Sequence, residues 1–273
     1  HRVDRRQRQM CIRDRNSTNS KIALEMKSVS LNIPVNQIQQ RTLKNKLVRT
    51  FTGGIIKNKK GGSFINALNN INCKVYEGDR IALIGHNGAG KTTFLRLISG
   101  IYTHTSGEFY KSIKIYPIIE KSFITSIELN GLTAIKAHYL QINNCLEGFE
   151  DFCEEIVNFT GLGEFLKLPI KTYSEGMKAR LQFALTTSGR HESIALDEGF
   201  ATGDKNFKIS AQKRLDSFLD RTGTFFFASH SDELLKRFCK KGFVFQKGSI
   251  SFQGSIHEAC LLYTSPSPRD LST

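Results

Sequence analysis

The sequence predicts an α/β fold in which helices flank a mostly parallel sheet and a helical lobe is inserted. Three observations predict it. The last third alternates apolar strand-like runs with a helix-like run (Ser193 to Leu196, Asp204 to Leu219, Thr224 to Ala228), the pattern of parallel strands joined by crossover helices. A short apolar run from Arg80 to Ile84 ends in glycine and leads into a helix-forming stretch from Lys91 to Ile98. Between about residues 125 and 168 the periodicity turns helical, as in LTAIKAHYLQI and EGFEDFCEEIVNF, with Gly131, Gly161 and Gly163 as breaks.

The first part of the chain reads differently. Lys21 to Ile33 alternates well enough for a strand, and Phe64 to Tyr76 reads as a second, closed by the turn Glu77-Gly78-Asp79. Asn36 to Lys60 holds seven Lys or Arg and no acid, with Gly-Gly pairs at 53–54 and 61–62. It reads as a loop or short helix inserted between the two strands. Its charge is either a solvated surface or a contact for anionic lipid headgroups or a pyrophosphate-linked glycan. No repeat of 20–50 residues is evident.

Composition bounds the class. With 273 residues, 39% apolar and 23% charged, the chain has a globular composition, which excludes wholesale disorder or a fibrous repeat. No apolar run approaches the ~20 residues of a membrane-spanning helix. Six cysteines at 11, 73, 145, 153, 239 and 260 form no C-x-x-C pair, so they read as buried thiols of a reducing compartment and not as a disulfide framework or zinc site.

The net charge of +14 points to an anionic partner only after the termini are considered. Residues 5–15 and 260–270 lack periodicity. Met10 to Asp14 can be encoded by ATGTGTATAAGAGACA, whose reverse complement encodes Cys-Leu-Leu-Tyr-Thr, the residues Cys260 to Thr264. Residues 1–15 and 260–273 therefore read as translated sequencing adapter, outside the fold, the alternative being a natural basic arm and a Pro/Ser tail. Residues 1–15 carry six Arg and two Asp and residues 260–273 one of each, so the charge without them falls to +10.

The chemistry concentrates in Gly85-His86-Asn87-Gly88-Ala89-Gly90-Lys91-Thr92-Thr93, which fits G-x-x-x-x-G-K-[ST] between an apolar strand and a helix. Glycines at 85, 88 and 90 let backbone N–H groups approach a polyphosphate, and the following helix adds its positive dipole end. Lys91 supplies a cation at the β/γ-phosphates and Thr92 a hydroxyl for Mg²⁺. A second apolar strand delivers Asp197 and Glu198 at its C-terminal edge, where ligands sit in α/β sheets. Successive strand residues point to opposite sides, so Asp197 is suited to the metal shell and Glu198 to an attacking water. A third strand, Phe225-Phe-Phe-Ala-Ser229-His230, places His230 for a γ-phosphate contact.

With Tyr173-Ser174-Glu175-Gly176-Met177, these motifs make residues 21–258 resemble the ATP-binding cassette ATPases, the nucleotide-binding subunits of transporters. The order of P-loop, helical lobe, signature, acidic strand and histidine is that family's order. The resemblance implies a P-loop NTPase core with a mostly parallel sheet, an antiparallel β subdomain and an inserted helical lobe at about 121–185, within one domain over 16–259. It also implies that Ser174 and Gly176 open a helix whose N-terminus meets the γ-phosphate of ATP held by another subunit. Glu120, in Tyr116-Pro-Ile-Ile-Glu120, stands where a Gln is usual in the loop linking core to lobe, with a place near the metal and the reacting water. Tyr173, Glu175 and Met177 replace three positions of the usual L-S-G-G-Q signature, and Gly199-Phe-Ala-Thr-Gly203-Asp204 follows the acidic strand. These departures, with the long insertion before Phe64, resemble the exporters of O-antigen, capsule and teichoic acid. The position of the aromatic that usually stacks on adenine falls near Ile33, with Phe51 or Phe64 as the candidate substitutes.

The implied cycle closes two copies head to tail around two ATP molecules with Mg²⁺, working a separate membrane permease that exports a lipid-linked polysaccharide. The place implied is the cytoplasmic face of the membrane, peripherally, with no nucleic-acid partner. Two rivals differ in class. A non-transport cassette ATPase acting on nucleic acid or ribosomes would use the remaining basic excess, but such proteins usually carry two cassettes or a long coiled-coil insertion. A P-loop small-molecule kinase would not require the signature.

Overall fold

The computed structural model describes residues 21–35, 56–59, 62–119, 126–189, 191–197, 205–229 and 231–264. Among the described residues, ten strands fall into two sheets. The smaller contains β1 (Ile22–Val35), β2 (Ile56–Lys59), β3 (Gly62–Tyr76) and β5 (Ser106–Lys111) in the order β2-β3-β1-β5. Its pairings are antiparallel, with Ile22 opposite Tyr76 and Met26 opposite Phe109. The larger contains β4 (Arg80–Ile84), β6 (Tyr116–Ile118), β7 (Ser193–Leu196), β8 (Thr224–Ala228), β9 (Lys241–Gln246) and β10 (Ser249–Ser255) in the order β10-β9-β4-β8-β7-β6. All its pairings are parallel except β9–β10.

One expectation needs correction here. Residues 56–59, read as part of a loop or short helix, form strand β2, with Ile56 opposite Ile65 and Lys59 opposite Gly62. Lys59 pairs with Gly62, the first residue of β3, so β2 and β3 are antiparallel neighbours. The rest of that basic run, 36–55, lies outside the described residues.

The helices are α1 (Lys91–Ile98), α2 (Gly131–Asn143), α3 (Phe149–Thr160), α4 (Glu175–Thr186), α5 (Lys205–Arg221), α6 (Asp232–Phe238) and α7 (Ile256–Thr264). The boundary drawn at 259/260 falls inside α7. Ile256, Ala259 and Cys260 recur at helical spacing and are all buried, whereas Leu261, Leu262 and Tyr263 face outward. Cys73, Cys239 and Cys260 are buried as expected of structural thiols, but Cys145 is exposed.

The strand alternation of β8 organises the core. Phe226 joins the cluster between the sheets, with Leu24, Met26, Leu68, Ile71, Phe94 and Phe245. Its neighbours Phe225 and Phe227 point to the opposite face and pack with α5, α6 and α7. A third cluster, with Ile135, Ile156, Leu166, Ile170 and Leu181, draws on residues 132–185 and makes the helical lobe.

Arg214 of α5 fastens that lobe to the sheet-bearing part. Its guanidinium donates to Thr187 Oγ1 (2.7 Å), Glu155 Oε1 (2.7 Å) and the Ala184 carbonyl (3.3 Å), and lies 4.4 Å from the ring centre of Phe159. Each of the three nitrogens of the planar fork thus has an acceptor.

A titratable pair sits in the same region. His138 of α2 is buried beside the Phe152 ring, and burial pushes its pKa down to about 4, the Leu185 backbone acting the other way and His191 adding to the fall. His191 stacks on Tyr116 with ring centres 4.0 Å apart, and burial followed by Lys114 lowers it too. A histidine held neutral by the fold binds its proton more readily once unfolded. Stability is therefore full above the unfolded value near 6.5 and falls as pH drops towards 4. Urea unfolding followed from pH 7.5 to 4.5 is expected to lose up to about 3 kcal/mol through His138, and the slope should flatten in His138→Gln.

Candidate functional site

The tip of β4 carries the site. Four of its five residues are buried, and the chain leaves it at Gly85 with φ +151°, followed by Gly88 at +80° and Gly90 at +112°. These are angles that L side chains rarely adopt, and they aim the turn's N–H groups inward. The turn is held by Ala89 N–H donating to the His86 carbonyl (3.1 Å) and Phe94 N–H to the Gly90 carbonyl (2.8 Å). The His86 ring contacts the Asn87 carbonyl at 2.8 Å.

Lys91 opens α1 and is buried, its ammonium donating to the carbonyls of Gly85 (2.5 Å) and His86 (3.2 Å). A buried cation in a ring of carbonyls is poised to exchange them for stronger phosphate acceptors. No acid occupies the first turn of α1, so the positive end of its dipole is uncompensated there. Thr93 is buried beneath the loop.

Asp197 follows the fully buried strand β7, and its N–H donates to the Ile118 carbonyl of β6 (3.0 Å). Its Oδ2 accepts from Thr92 Oγ1 at 2.6 Å. The two residues lie 105 positions apart in sequence, on elements separated by β8. A hydroxyl and a carboxylate so placed form an all-oxygen donor set, which suits Mg²⁺.

The turn is buttressed from behind by a hairpin that sequence reasoning missed. A Cβ on Gly85 would lie 2.5 Å from the Phe245 carbonyl, and one on Gly90 would lie 3.3 Å from the Gly248 Cα. Gly248 N–H donates to the Ala89 carbonyl at 2.9 Å. Lys247 and Gly248 both have positive φ, the two-residue primed turn of a β-hairpin. The Lys-Gly pair was its signal, but nothing local shows that the hairpin tip meets a loop 160 residues earlier.

Ser174 and Gly176 sit at the N-terminus of α4, in the lobe. The Ser174 hydroxyl accepts from Met177 N–H (3.2 Å), and a Cβ on Gly176 would lie 3.9 Å from Ser174 Oγ. Glu120, Glu198 and His230 lie outside the described residues, as does Phe51. Of the positions flanking His230, Ser229 Oγ accepts from Ser231 N–H at 3.1 Å. Ile33 and Phe64 are both half-buried.

The doubly covered parallel sheet, the glycine-cradled lysine and the Thr92–Asp197 pair define a P-loop nucleotide-binding cassette. The family model for ABC transporters matches residues 68–201. The O-antigen export system ATP-binding protein RfbE of Yersinia enterocolitica is 38% identical over 229 residues, covering 84% of this chain and 96% of that protein. The teichoic acids export ATP-binding protein TagH of Staphylococcus haemolyticus is 29% identical over 236 residues, covering 86% and 88%. Among solved structures, a dimeric ATP-binding cassette in a post-hydrolysis state bound to ADP and Pi superposes with a TM-score of 0.63 at 16% identity, covering 85% and 98%. The chain belongs to the ATP-binding cassette transporter family, as an ATPase.

Two outcomes are expected at the buttress. Gly85→Ala places a methyl against the Phe245 carbonyl and shifts the phosphate loop, lowering ATPase kcat/KM by about a hundredfold, the order of effect of a 1 Å misplacement. Gly248→Ala meets the Ala67 carbonyl at 2.8 Å with φ at +79°, and chemical denaturation should show a loss of about 1–3 kcal/mol.

Proposed function

We propose that the chain is the ATP-hydrolysing subunit of a transporter exporting a lipid-linked polysaccharide, working as a homodimer with a separate membrane permease at the cytoplasmic face of the membrane. The observation that carries the hydrolytic part is the Thr92–Asp197 contact of 2.6 Å beside the Lys91 cradle. The substrate class is supported by the similarity to RfbE along nearly that protein's full length and to TagH.

Lys91 and the backbone of 85–90 bind and orient the triphosphate. Thr92 and Asp197 would hold Mg²⁺, which supplies charge neutralisation on the β/γ-oxygens. Ser174, Gly176 and the dipole of α4 meet the γ-phosphate bound by the other copy, so closure excludes water from two shared sites. Glu198 orients and polarises the attacking water, Glu120 serves the metal and the reacting water, and His230 contacts the γ-phosphate. Product release reopens the pair, and the lobe passes the movement to the permease.

Glu198→Gln is expected to bind ATP and form a stable dimer while turnover falls by about a thousandfold, within the range for loss of a general base. Chromatography with ATP and a phosphate-release assay read the two effects. Wild-type-like turnover in this variant would remove Glu198 from its role. Co-purification with a permease encoded beside it, and loss of surface polysaccharide on Lys91→Ala, test the export reading.

A further inference from the structure

The segment entering the lobe is laid against the segment that leads into Ser174. Ile170 N–H donates to the Leu129 carbonyl (2.9 Å) and Lys171 N–H to the Ile127 carbonyl (2.8 Å), with a bridge between Asn130 and Pro169. On the outer side Lys171 Nζ meets Glu128 Oε2 at 2.6 Å. This small ladder brings residue 173 back over the first turn of α2.

Tyr173 closes it. The side chain is buried, and its hydroxyl donates to the Phe165 carbonyl at 2.8 Å. The Gly131 backbone lies beside the same oxygen and acts against the upward push of burial on its pKa. The fit is close. A Cβ on Gly131 would stand 2.5 Å from Tyr173 Oη and 2.6 Å from Leu166 Cδ2. At its other end, Tyr173 N–H donates to the Ile170 carbonyl (3.0 Å). The residue immediately before Ser174 is thus pinned at both its backbone and its ring tip.

We infer that Tyr173 is a positioning residue for ATP hydrolysis: by bonding the Phe165 carbonyl and packing against Gly131 it fixes where Ser174 and the N-terminus of α4 stand. This rests on the two-subunit reading above, in which Ser174 meets ATP held by the other copy. Tyr173 touches no nucleotide. Its effect falls on closure and turnover, and not on the grip of a single P-loop.

The test compares Tyr173→Phe with the parent, alone and combined with Glu198→Gln. A folded Tyr173→Phe protein, judged by thermal unfolding, is expected to lose about fivefold in kcat, the factor of one neutral hydrogen bond. The protein concentration needed for ATP-driven dimerisation of the Glu198→Gln form should rise by a similar factor. The ATP Kd of the isolated subunit in EDTA should not change. A cycle of Gly131→Ala, Tyr173→Phe and the double variant should be non-additive, because removing the hydroxyl relieves its clash with the new methyl. Unchanged kcat and dimerisation, an equal loss in the subunit's ATP Kd, or strict additivity would each overturn the role of Tyr173. Failure of Glu198→Gln itself to dimerise overturns the two-subunit reading, and with it the site Tyr173 serves.

Discussion

Backbone-to-backbone packing between the phosphate loop and the β9–β10 hairpin is the constraint on which the rest of the site depends. Gly85 lies against the Phe245 carbonyl, Gly90 against Gly248, and Gly248 donates to Ala89. With side chains absent at these contacts, the loop cannot sag towards β9 or lift away from it. That rigidity sets the ring of carbonyls gripping Lys91, and it sets where α1 begins. Once α1 is placed, Thr92 falls within hydrogen-bond distance of Asp197 without further adjustment. Preorganisation of this kind allows a polyanion to bind without a large ordering cost.

The sheet supports the loop from below by keeping its two faces distinct. Phe225, Phe226 and Phe227 are consecutive and all buried, yet they feed two separate clusters. β4 follows the same rule, with Ile81 and Leu83 on one face and Ala82 and Ile84 on the other. β4 runs into the glycine turn and β8 is its neighbour, so packing errors at either face would be felt at their tips.

Much of this was legible because local signals and global role coincide. Arg80–Ile84, Lys91–Ile98, Ser193–Leu196 and Thr224–Ala228 were bounded correctly from apolar runs closed by glycine or by polar residues. The P-loop spacing marks Lys91 and Thr92 and the acidic strand marks Asp197, and the fold joins Thr92 to Asp197. What escaped was non-local. The four residues of β2 show weak alternation and depend on β3 for their conformation. The hairpin buttress joins residues far apart in sequence, and only three dimensions reveal it. α7 runs past a boundary drawn from codon composition because Ile256, Ala259 and Cys260 share a buried face. Glu120, Glu198 and His230 rest on motif chemistry, as they lie outside the described residues.

Arg214 gives the lobe a particular mechanical character. Its guanidinium reaches Glu155 on α3, and Thr187 and Ala184 at the end of α4, while it sits on α5, the helix that follows the acidic strand. The ring of Phe159 lies under it and Phe183 and Phe207 pack alongside, so the joint is stiff in bending as well as in tension. Any swing of the lobe therefore carries α5 with it, and a displacement of α3 or α4 is felt on the helix that packs against β7 and β8.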